Sequence, residues 1–393
     1  MKEYLLILFS LFFLLSCEEK KEQTTTPWGT AVGEELSDTL SEDGFSLTDI
    51  QTNGEMIMLT LGGPNTYYDY RGKGMGQEFL LCEKFSQILG VSLRVDVCKD
   101  TAEMIRRLND GEGDIIAFPL PRANYKNLLF CGATADNRRT QWAVNANNKE
   151  LADTLNRWFR PELIAQVQKE ERFLLSAQSI QRRVYSPMLN KKGGIISHYD
   201  KYFQMYAPTA RMDWRLMAAQ CYQESCFDPN ARSWAGACGL MQIMPSTANH
   251  LGLSMAQIHE PEANISAAAR YMAELSGHFS DIQDPAQRIF FALAAYNGGF
   301  FHIRDAMSLA RKYGRNPYRW GDVSVFVLKL RSPEYYNDPV VKNGYMRGDE
   351  TVNYVARIRD RWAQYRGVPS TASFSSSSSA VPVKATKKHR FKL

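Results

Sequence analysis

The order of apolar and polar positions predicts an alternating structure in the first part of the chain. Short apolar runs alternate there with stretches in which apolar residues recur every three or four positions. The runs predict strands at 56–61, 91–97, 113–118 and 140–144. The periodic stretches predict helices at 76–89, 101–109 and 149–159. Strands that alternate with helices favour an α/β unit with a parallel sheet.

A further helical pattern covers 213–225 and carries Glu224 near its end. Met217 and Cys221 lie seven and three positions earlier, so the carboxyl shares a helix face with apolar side chains. Burial on such a face penalises the ionised form and raises the pKa, as a general acid at neutral pH requires. The alternative is a glutamate that extends past this face to solvent or pairs with an arginine.

Four short motifs follow one another in the second half of the chain. They read Glu-Ser at 224–225, Gly-Ala-Cys-Gly-Leu-Met-Gln-Ile-Met-Pro at 236–245, Ala-Ala-Tyr-Asn-Gly-Gly at 294–299 and Glu-Thr-Val-Asn-Tyr-Val at 350–355. In this order they resemble the catalytic domain of the soluble lytic transglycosylase family, a relative of goose-type lysozyme. The resemblance covers about 190–368 and implies a mainly α-helical, lysozyme-like domain with a groove for a glycan. The expected fold class is therefore α+β, with an α/β lobe before a helical domain.

The resemblance also implies roles for individual residues. Glu224 takes the catalytic position, Tyr354 the position that orients the acid, and Ser225 a position that supports local geometry. The remaining positions line the groove, with the methionine as an apolar wall against a sugar face: Met241, Gln242, Tyr296 and Asn297. Other readings remain open, because the tyrosine is also compatible with the core, the asparagine with a helix C-terminal turn and the glutamine with a helix cap.

The reaction implied by the resemblance is a non-hydrolytic cleavage of peptidoglycan glycan strands. The motifs supply one carboxylate, so Glu224 would act first as acid and then as base, leaving a 1,6-anhydro-muramic acid end. Neither a cofactor nor a metal is expected, since the six histidines are scattered. One rival reading is a goose-type muramidase that uses water. Another is a non-catalytic envelope protein that binds glycans or solutes.

The first residues predict export and a lipid anchor. An apolar run from 5 to 15 is too short to span a bilayer and fits a signal peptide over 1–16. Leu-Leu-Ser-Cys at 14–17 resembles a bacterial lipobox with Cys17 as the lipidated residue. The next residue is Glu18 and not an aspartate, which favours the outer membrane over retention at the inner membrane. The lipoprotein is expected to face the periplasm. The polar segment 17–53 is predicted to be a flexible tether.

The predicted α/β unit, assigned to 54–185, resembles the first lobe of the family 3 extracellular solute-binding proteins. The resemblance rests on Gly-Met-Gly-Gln-Glu-Phe at 74–79 and Leu-Asn-Asp-Gly-Glu-Gly-Asp-Ile at 108–115. Where that family inserts a second lobe, about a dozen residues separate Phe130 from Trp142. The second lobe is therefore expected to be missing. The remaining lobe would position the enzyme, bind a cell-wall protein partner or pack on the catalytic domain.

Composition adds three smaller points. The net charge of +5 over 393 residues, without a nucleic-acid-binding motif, does not indicate a nucleic-acid partner. The segment 369–393 contains a serine run followed by basic residues and is predicted to be a disordered tail. Six cysteines remain after Cys17, which permits disulfides in an exported protein. Cys226 and Cys238 flank the loop after the catalytic helix and are the candidate pair.

Overall fold

The computed structural model describes residues 46–133 and 139–367. The predicted signal peptide, the lipidation site at Cys17 and the basic tail lie outside these ranges. Within them, an α/β lobe precedes a helical domain, so the predicted fold class is confirmed. Among the described residues, none of the helices combines the length and apolar character needed to cross a bilayer.

A five-stranded sheet in the order β4-β1-β5-β7-β6 forms the centre of the lobe. Its strands are β1 (Glu55–Leu61), β4 (Ser92–Cys98), β5 (Ile115–Pro121), β6 (Leu128–Cys131) and β7 (Thr140–Asn145). β1 pairs in parallel with β4 and β5, as predicted. β7 runs antiparallel to both β5 and β6, so the expectation of a wholly parallel sheet was wrong. Only eight residues separate β6 from β7, and so short a connection joins antiparallel strands, whereas a parallel pair needs a longer crossover.

Helices cover this sheet, and a separate hairpin extends from it. The helices are α1 (Leu47–Asn53), α2 (Gln77–Leu89), α3 (Thr101–Asn109), α4 (Lys149–Trp158) and α5 (Glu162–Leu174). Between β1 and α2, strands β2 (Tyr68–Tyr70) and β3 (Lys73–Met75) form a two-stranded hairpin of their own. The lobe core includes Phe85 and Trp142, both without exposed surface.

The first lobe helix corrects the predicted extent of the tether. Leu47–Asn53 is helical, and a capping box links the Ser46 side chain and main chain to Asp49. Leu47 and Ile50 are buried in the lobe core. The predicted tether over 17–53 is therefore wrong for its last residues, because two apolar positions in this polar segment are enough to fix one face of a short helix on the lobe.

The second domain is built from nine helices within the described ranges. They are α6 (Asp200–Tyr206), α7 (Trp214–Ser225), α8 (Pro245–His250), α9 (Pro261–His278), α10 (Pro285–Gly298), α11 (Phe300–Lys312), α12 (Trp320–Lys329), α13 (Pro333–Tyr336) and α14 (Gly348–Tyr365). One apolar cluster joins them, and its fully buried members include Met217, Phe279, Phe291 and Ile358. α14, the last of these helices, packs along α7.

The chain enters this domain earlier than the predicted lobe boundary at 185. After a short 3-10 turn at Ala177–Ser179, the main chain of Gln181 pairs with that of Arg232 in both directions. Arg183 N then donates to the Asp228 carboxylate at 2.6 Å. Residues from 181 onward therefore pack on the helical domain.

Candidate active site

Helix α7 carries Glu224 into the centre of the helical domain. Asp213 caps its N-terminus by accepting a hydrogen bond from Arg215 N at 2.9 Å. The helix ends where Cys226 and Phe227 both adopt left-handed backbone conformations, with φ of 52° and 63°. Glu224 is the penultimate residue of this helix, and only 6% of its surface is exposed. The Glu224 side chain therefore does not extend to solvent, in contrast to the alternative interpretation.

The Glu224 carboxyl is held by a tyrosine from the far end of the domain. Tyr354, on α14, donates its hydroxyl to Glu224 Oε1 at 2.5 Å. The pKa of Glu224 is raised to about 7, mainly by burial and to a smaller extent by the charge of Glu350. The nearby charges of Arg71 and Arg182 and the Tyr354 hydrogen bond act in the opposite direction. A carboxyl with a pKa close to neutral can both give and take a proton.

A tight turn presents Gln242 beside this carboxyl. The main chains of Cys238 and Ile243 exchange two hydrogen bonds of 3.0 Å, and Gln242 sits between them with φ of 49°. Its Nε2 donates to the carbonyls of Ala231 and Gly239, so the side chain braces the turn and does not cap a helix. Its Oε1 is buried without a hydrogen-bond partner and borders the cavity next to Glu224.

Asn264 on α9 fixes the same turn and was missed in the sequence analysis. Its Oδ1 accepts from Met241 N at 2.8 Å, and its Nδ2 donates to Ile258 O at 2.7 Å. A Cβ at Gly239 would lie 2.4 Å from this amide, so the turn needs glycine there. The available signal in the sequence was an asparagine among the apolar positions of a helix pattern, where a buried amide would need hydrogen-bond partners.

A cavity of about 360 Å³ opens over Glu224 and brings three of the predicted groove residues together. Gln242, Tyr296 and Asn297 all line it. Tyr296 donates its hydroxyl to Met241 O at 2.8 Å, whereas the hydroxyl that bonds to the Glu224 carboxyl is that of Tyr354. Asn297 accepts from Thr351 Oγ1 at 2.8 Å and borders the cavity at the end of α10.

Two of the predicted site residues do not border either cavity in this structure. The Met241 side chain has no exposed surface and lies in the core, so its assignment to a sugar-facing wall was wrong. The side chain points inward because the carbonyl and amide of this residue are tied to Tyr296 and Asn264. Ser225 is also fully buried and donates to Cys221 O at 3.2 Å, which fits support of the helix end and not contact with a ligand.

The candidate disulfide is not formed in the structure. Cys226 and Cys238 are both buried free thiols. Cys226 occupies the left-handed residue that ends α7, and the Cys238 thiol donates to Gly236 O at 3.3 Å. The turn is therefore held by the hydrogen bonds of Asn264 and Gln242 without a covalent link.

The lobe contributes two further residues that the sequence analysis did not identify. Tyr70 and Arg71, at the tip of the β2–β3 hairpin, line the first cavity and a second one of about 290 Å³ on the other side of Glu224. The Tyr70 ring stacks on Trp234, with the planes 4° apart. The Tyr70 hydroxyl and Arg71 Nη2 both donate to Glu350 Oε1, at 2.8 and 3.1 Å. The hairpin tip thus reaches the groove of the other domain.

Within the part of the chain that the structure describes, no group of three or more His, Cys, Asp or Glu side chains is placed to hold a metal ion. The acids bordering the two cavities are Asp69, Glu224, Asp349 and Glu350. Of these, Glu350 is engaged with the hairpin and Glu224 is the buried carboxyl held by a hydroxyl. The arrangement can therefore perform acid–base chemistry through one carboxyl.

Comparison with known proteins defines the class of the helical domain. A model of the transglycosylase SLT domain matches residues 201–318. This segment contains Glu224 and the second and third motifs of the sequence analysis. The chain therefore contains a transglycosylase SLT domain, and the resemblance inferred from the four motifs is confirmed.

Curated relatives narrow the class further. The chain is similar to membrane-bound lytic murein transglycosylase F of Desulfosudis oleivorans, with 29% identity covering 80% of this chain and 90% of that one. The protein of the same name from Pseudomonas putida is 30% identical over 73% of this chain, which spans 60% of the relative's length. The 70 kDa soluble lytic transglycosylase from Escherichia coli is 24% identical, over 43% of this chain and 25% of that chain, with a TM-score of 0.31.

The Tyr354–Glu224 hydrogen bond leads to a first prediction. Because the hydroxyl stabilises the carboxylate, Tyr354→Phe should raise the pKa of Glu224. We expect the alkaline limb of the kcat/KM profile to move to higher pH, with kcat about 10- to 100-fold lower through the lost bond to a charged group. Glycan cleavage measured between pH 5 and 9 tests this.

Tyr365→Phe is the matched control. It lies on the same helix and donates to Pro187 O at 2.6 Å, away from the carboxyl. Its profile should keep the limb of the parent protein. A Tyr354→Phe variant with an unmoved limb would show that the hydroxyl does not control Glu224.

Proposed function

We propose that this chain is a peptidoglycan lytic transglycosylase that cleaves the β-1,4 bond between N-acetylmuramic acid and N-acetylglucosamine. The observation that carries the proposal is Glu224, a buried carboxyl with a pKa of about 7 that borders both cavities of the groove. The SLT domain match and the names of the relatives support the reaction class.

In the first step, protonated Glu224 gives its proton to the glycosidic oxygen. The bond from that oxygen to C1 of the muramic acid breaks, and positive charge develops on the sugar ring. The Tyr354 hydroxyl, already donating to Glu224 Oε1, stabilises the carboxylate that this proton transfer produces.

In the second step, the Glu224 carboxylate takes the proton from the 6-hydroxyl of the same muramic acid. The freed oxygen bonds to C1 and closes a 1,6-anhydro ring, so no water is consumed. Because the nucleophile belongs to the reacting sugar, its effective concentration is high. Glu350 is unsuited to serve as a second catalytic carboxylate, because it accepts hydrogen bonds from Tyr70 and Arg71.

The mass of the released fragments tests this proposal. The protein is incubated with purified peptidoglycan, and the soluble fragments are analysed by mass spectrometry. We expect muramic acid ends lighter by one water than the hydrolysis products. Fragments with reducing ends would make the protein a muramidase, and unchanged peptidoglycan would favour a binding protein.

We also propose that the protein acts in the bacterial envelope as a lipoprotein anchored through Cys17 to the outer membrane and facing the periplasm. The lipobox-like residues 14–17 and the words "membrane-bound" in the names of the relatives support an anchor. In this arrangement the lobe is available to a cell-wall protein partner. Labelling of cells with a radioactive fatty acid should mark the parent protein and not Cys17→Ser.

A further inference from the structure

We propose that Arg71, carried by the hairpin of the lobe, is a positioning residue for the catalytic acid of the other domain. The inference rests on the proposed function. It assigns to the lobe a part in the reaction, in addition to any role in binding a partner. Three observations support it: how the hairpin is fixed, where the Arg71 side chain lies, and which charged groups face Glu224.

The hairpin is fixed on the helical domain by aromatic and polar contacts near its tip. The Tyr68 ring meets that of Tyr345 in the helical domain with centroids 5.0 Å apart, while its hydroxyl donates within the lobe to Glu171 of α5 at 3.2 Å. Tyr70 stacks on Trp234 and bonds to Glu350. Two aromatic contacts of β2, directly before the turn, therefore restrict the position of Arg71 relative to the helical domain.

The turn directs Arg71 into the groove. Tyr70 pairs with Lys73, so Arg71 and Gly72 are the two residues of the hairpin turn, with φ of 54° and 71°. Such turns favour glycine or asparagine, and an arginine costs energy in this conformation. The Arg71 side chain is nevertheless only 21% exposed, pairs with Glu350 at 3.1 Å and borders both cavities together with Glu224.

Arg71 has the strongest effect among the charges that face Glu224. Arg71 belongs to the lobe, Glu350 and Tyr354 belong to α14, and Arg182 belongs to the first segment that packs on the helical domain. Arg182 also donates to the main-chain carbonyl of Glu224 at 2.9 Å. Tyr296 and Cys221 are further neighbours, each with its pKa raised by burial. Opposing Glu350, Arg71 favours the carboxylate of Glu224 and so brings its pKa down toward neutral.

The functional consequence concerns both steps of the reaction. Without a cation at this place, a carboxyl buried to this degree would keep its proton well above neutral pH. Glu224 would then release its proton to the leaving oxygen less readily. The Arg71 guanidinium, which is held by Glu350 and borders the same cavities as Glu224, avoids this, while the Tyr354 hydrogen bond sets the orientation of the carboxyl.

The test compares Arg71→Met, Arg71→Lys and Lys73→Met in the full chain. Lys73 is an exposed cation on the same hairpin outside both cavities, so its variant removes the same charge without touching the site. The alkaline limb of kcat/KM should move up by about one pH unit or more in Arg71→Met. Arg71→Lys should move less, and Lys73→Met should match the parent protein.

A second readout does not depend on activity. Because burial raises the pKa of Glu224, stability attributable to its protonated form is lost as the pH rises from 4.5 through about 7. The melting temperature of Glu224→Gln minus that of the parent should therefore grow over this window and then level off. In the Arg71→Met background the difference should continue to grow above pH 7.

The outcomes separate the two proposals. If the parent protein leaves peptidoglycan intact, the proposed function fails, and the melting experiment still decides whether Arg71 controls Glu224. The inference is overturned if the parent is active but Arg71→Met leaves two quantities unchanged. These are the pH profile of kcat/KM and the pH dependence of the melting-temperature difference caused by Glu224→Gln. It is also overturned if Arg71→Met and Tyr70→Ala both raise activity at every pH with an unmoved limb, since the hairpin would then merely obstruct the groove.

Discussion

Replacement of Glu224 by glutamine should reduce the rate of glycan cleavage by about 10²- to 10⁴-fold, the range that general acid–base catalysis contributes. Glutamine keeps the size of the side chain and an oxygen that can accept from Tyr354, but it cannot transfer a proton. The rate of release of soluble fragments from peptidoglycan is the measurement.

Glu262→Gln is the control for this substitution. Glu262 is an exposed acid in the first turn of α9 and borders neither cavity, so its variant should cleave at nearly the parental rate. Retention of more than a tenth of the activity in Glu224→Gln would assign the proton transfers to another group.

Stability separates loss of chemistry from loss of structure in the same variant. The folded-state pKa of Glu224 lies near 7 and its ordinary value is 4.5, so ionisation destabilises the folded protein as the pH rises through this window. At pH 8, Glu224→Gln should therefore be more stable than the parent by roughly 1–3 kcal/mol. Below pH 4.5 this advantage should vanish. A variant that is inactive and also less stable at pH 8 would indicate disruption of the fold.

Substitution of Gly348 by alanine should produce the largest loss of stability. Gly348 begins α14 where this helix meets the end of α12, and a Cβ there would lie 1.8 Å from the Val327 carbonyl oxygen. A main-chain atom cannot move aside as a flexible side chain can. We expect a loss of about 3 kcal/mol or more, at the upper end for overpacked positions. The melting temperature should fall by roughly 6–12 °C for a domain of this size.

Gly277→Ala provides a control with the opposite sign. Gly277 is exposed within α9, and a Cβ there meets no heavy atom within 4 Å. Alanine favours the helix by about 0.5–1 kcal/mol, so this variant should melt slightly higher than the parent. Equal melting temperatures for the two variants would contradict this prediction. They would mean that α14 can move away from α12 to accommodate a Cβ at Gly348 without a loss of folding free energy.

The periodicity of the chain was enough to place the elements whose burial is local. The strand predicted at 56–61 and the helix predicted at 101–109 correspond to β1 and α3. The direction of a strand was harder to predict from the sequence. β7 is antiparallel because of the short connection from β6, and the apolar pattern of β7 itself carries no information on direction. The short helix Leu47–Asn53 was hidden because polar composition outweighed two apolar positions.

The sequence motifs were sufficient to predict most of the site residues that lie within them. Glu224 and Tyr354 meet, and Gln242, Tyr296 and Asn297 border the cavity above them. The direction of the Met241 side chain was not predictable, because it depends on main-chain bonds to two other helices. Arg71 was missed for a related reason. It reaches the groove only because one domain docks on the other, and no local sequence pattern indicates that docking.

The pairing of Glu224 with Tyr354 also determines when a newly made chain becomes competent. These residues are 130 positions apart, and the contact of Tyr365 with Pro187 spans 178. Synthesis proceeds from the N-terminus, so the acid is made long before the helix that orients it. A nascent chain that ends before Gly348 contains Glu224, Gln242 and Asn297 but lacks the hydroxyl that holds the carboxyl. The order of synthesis thus keeps a wall-cleaving site incomplete until the domain is nearly finished.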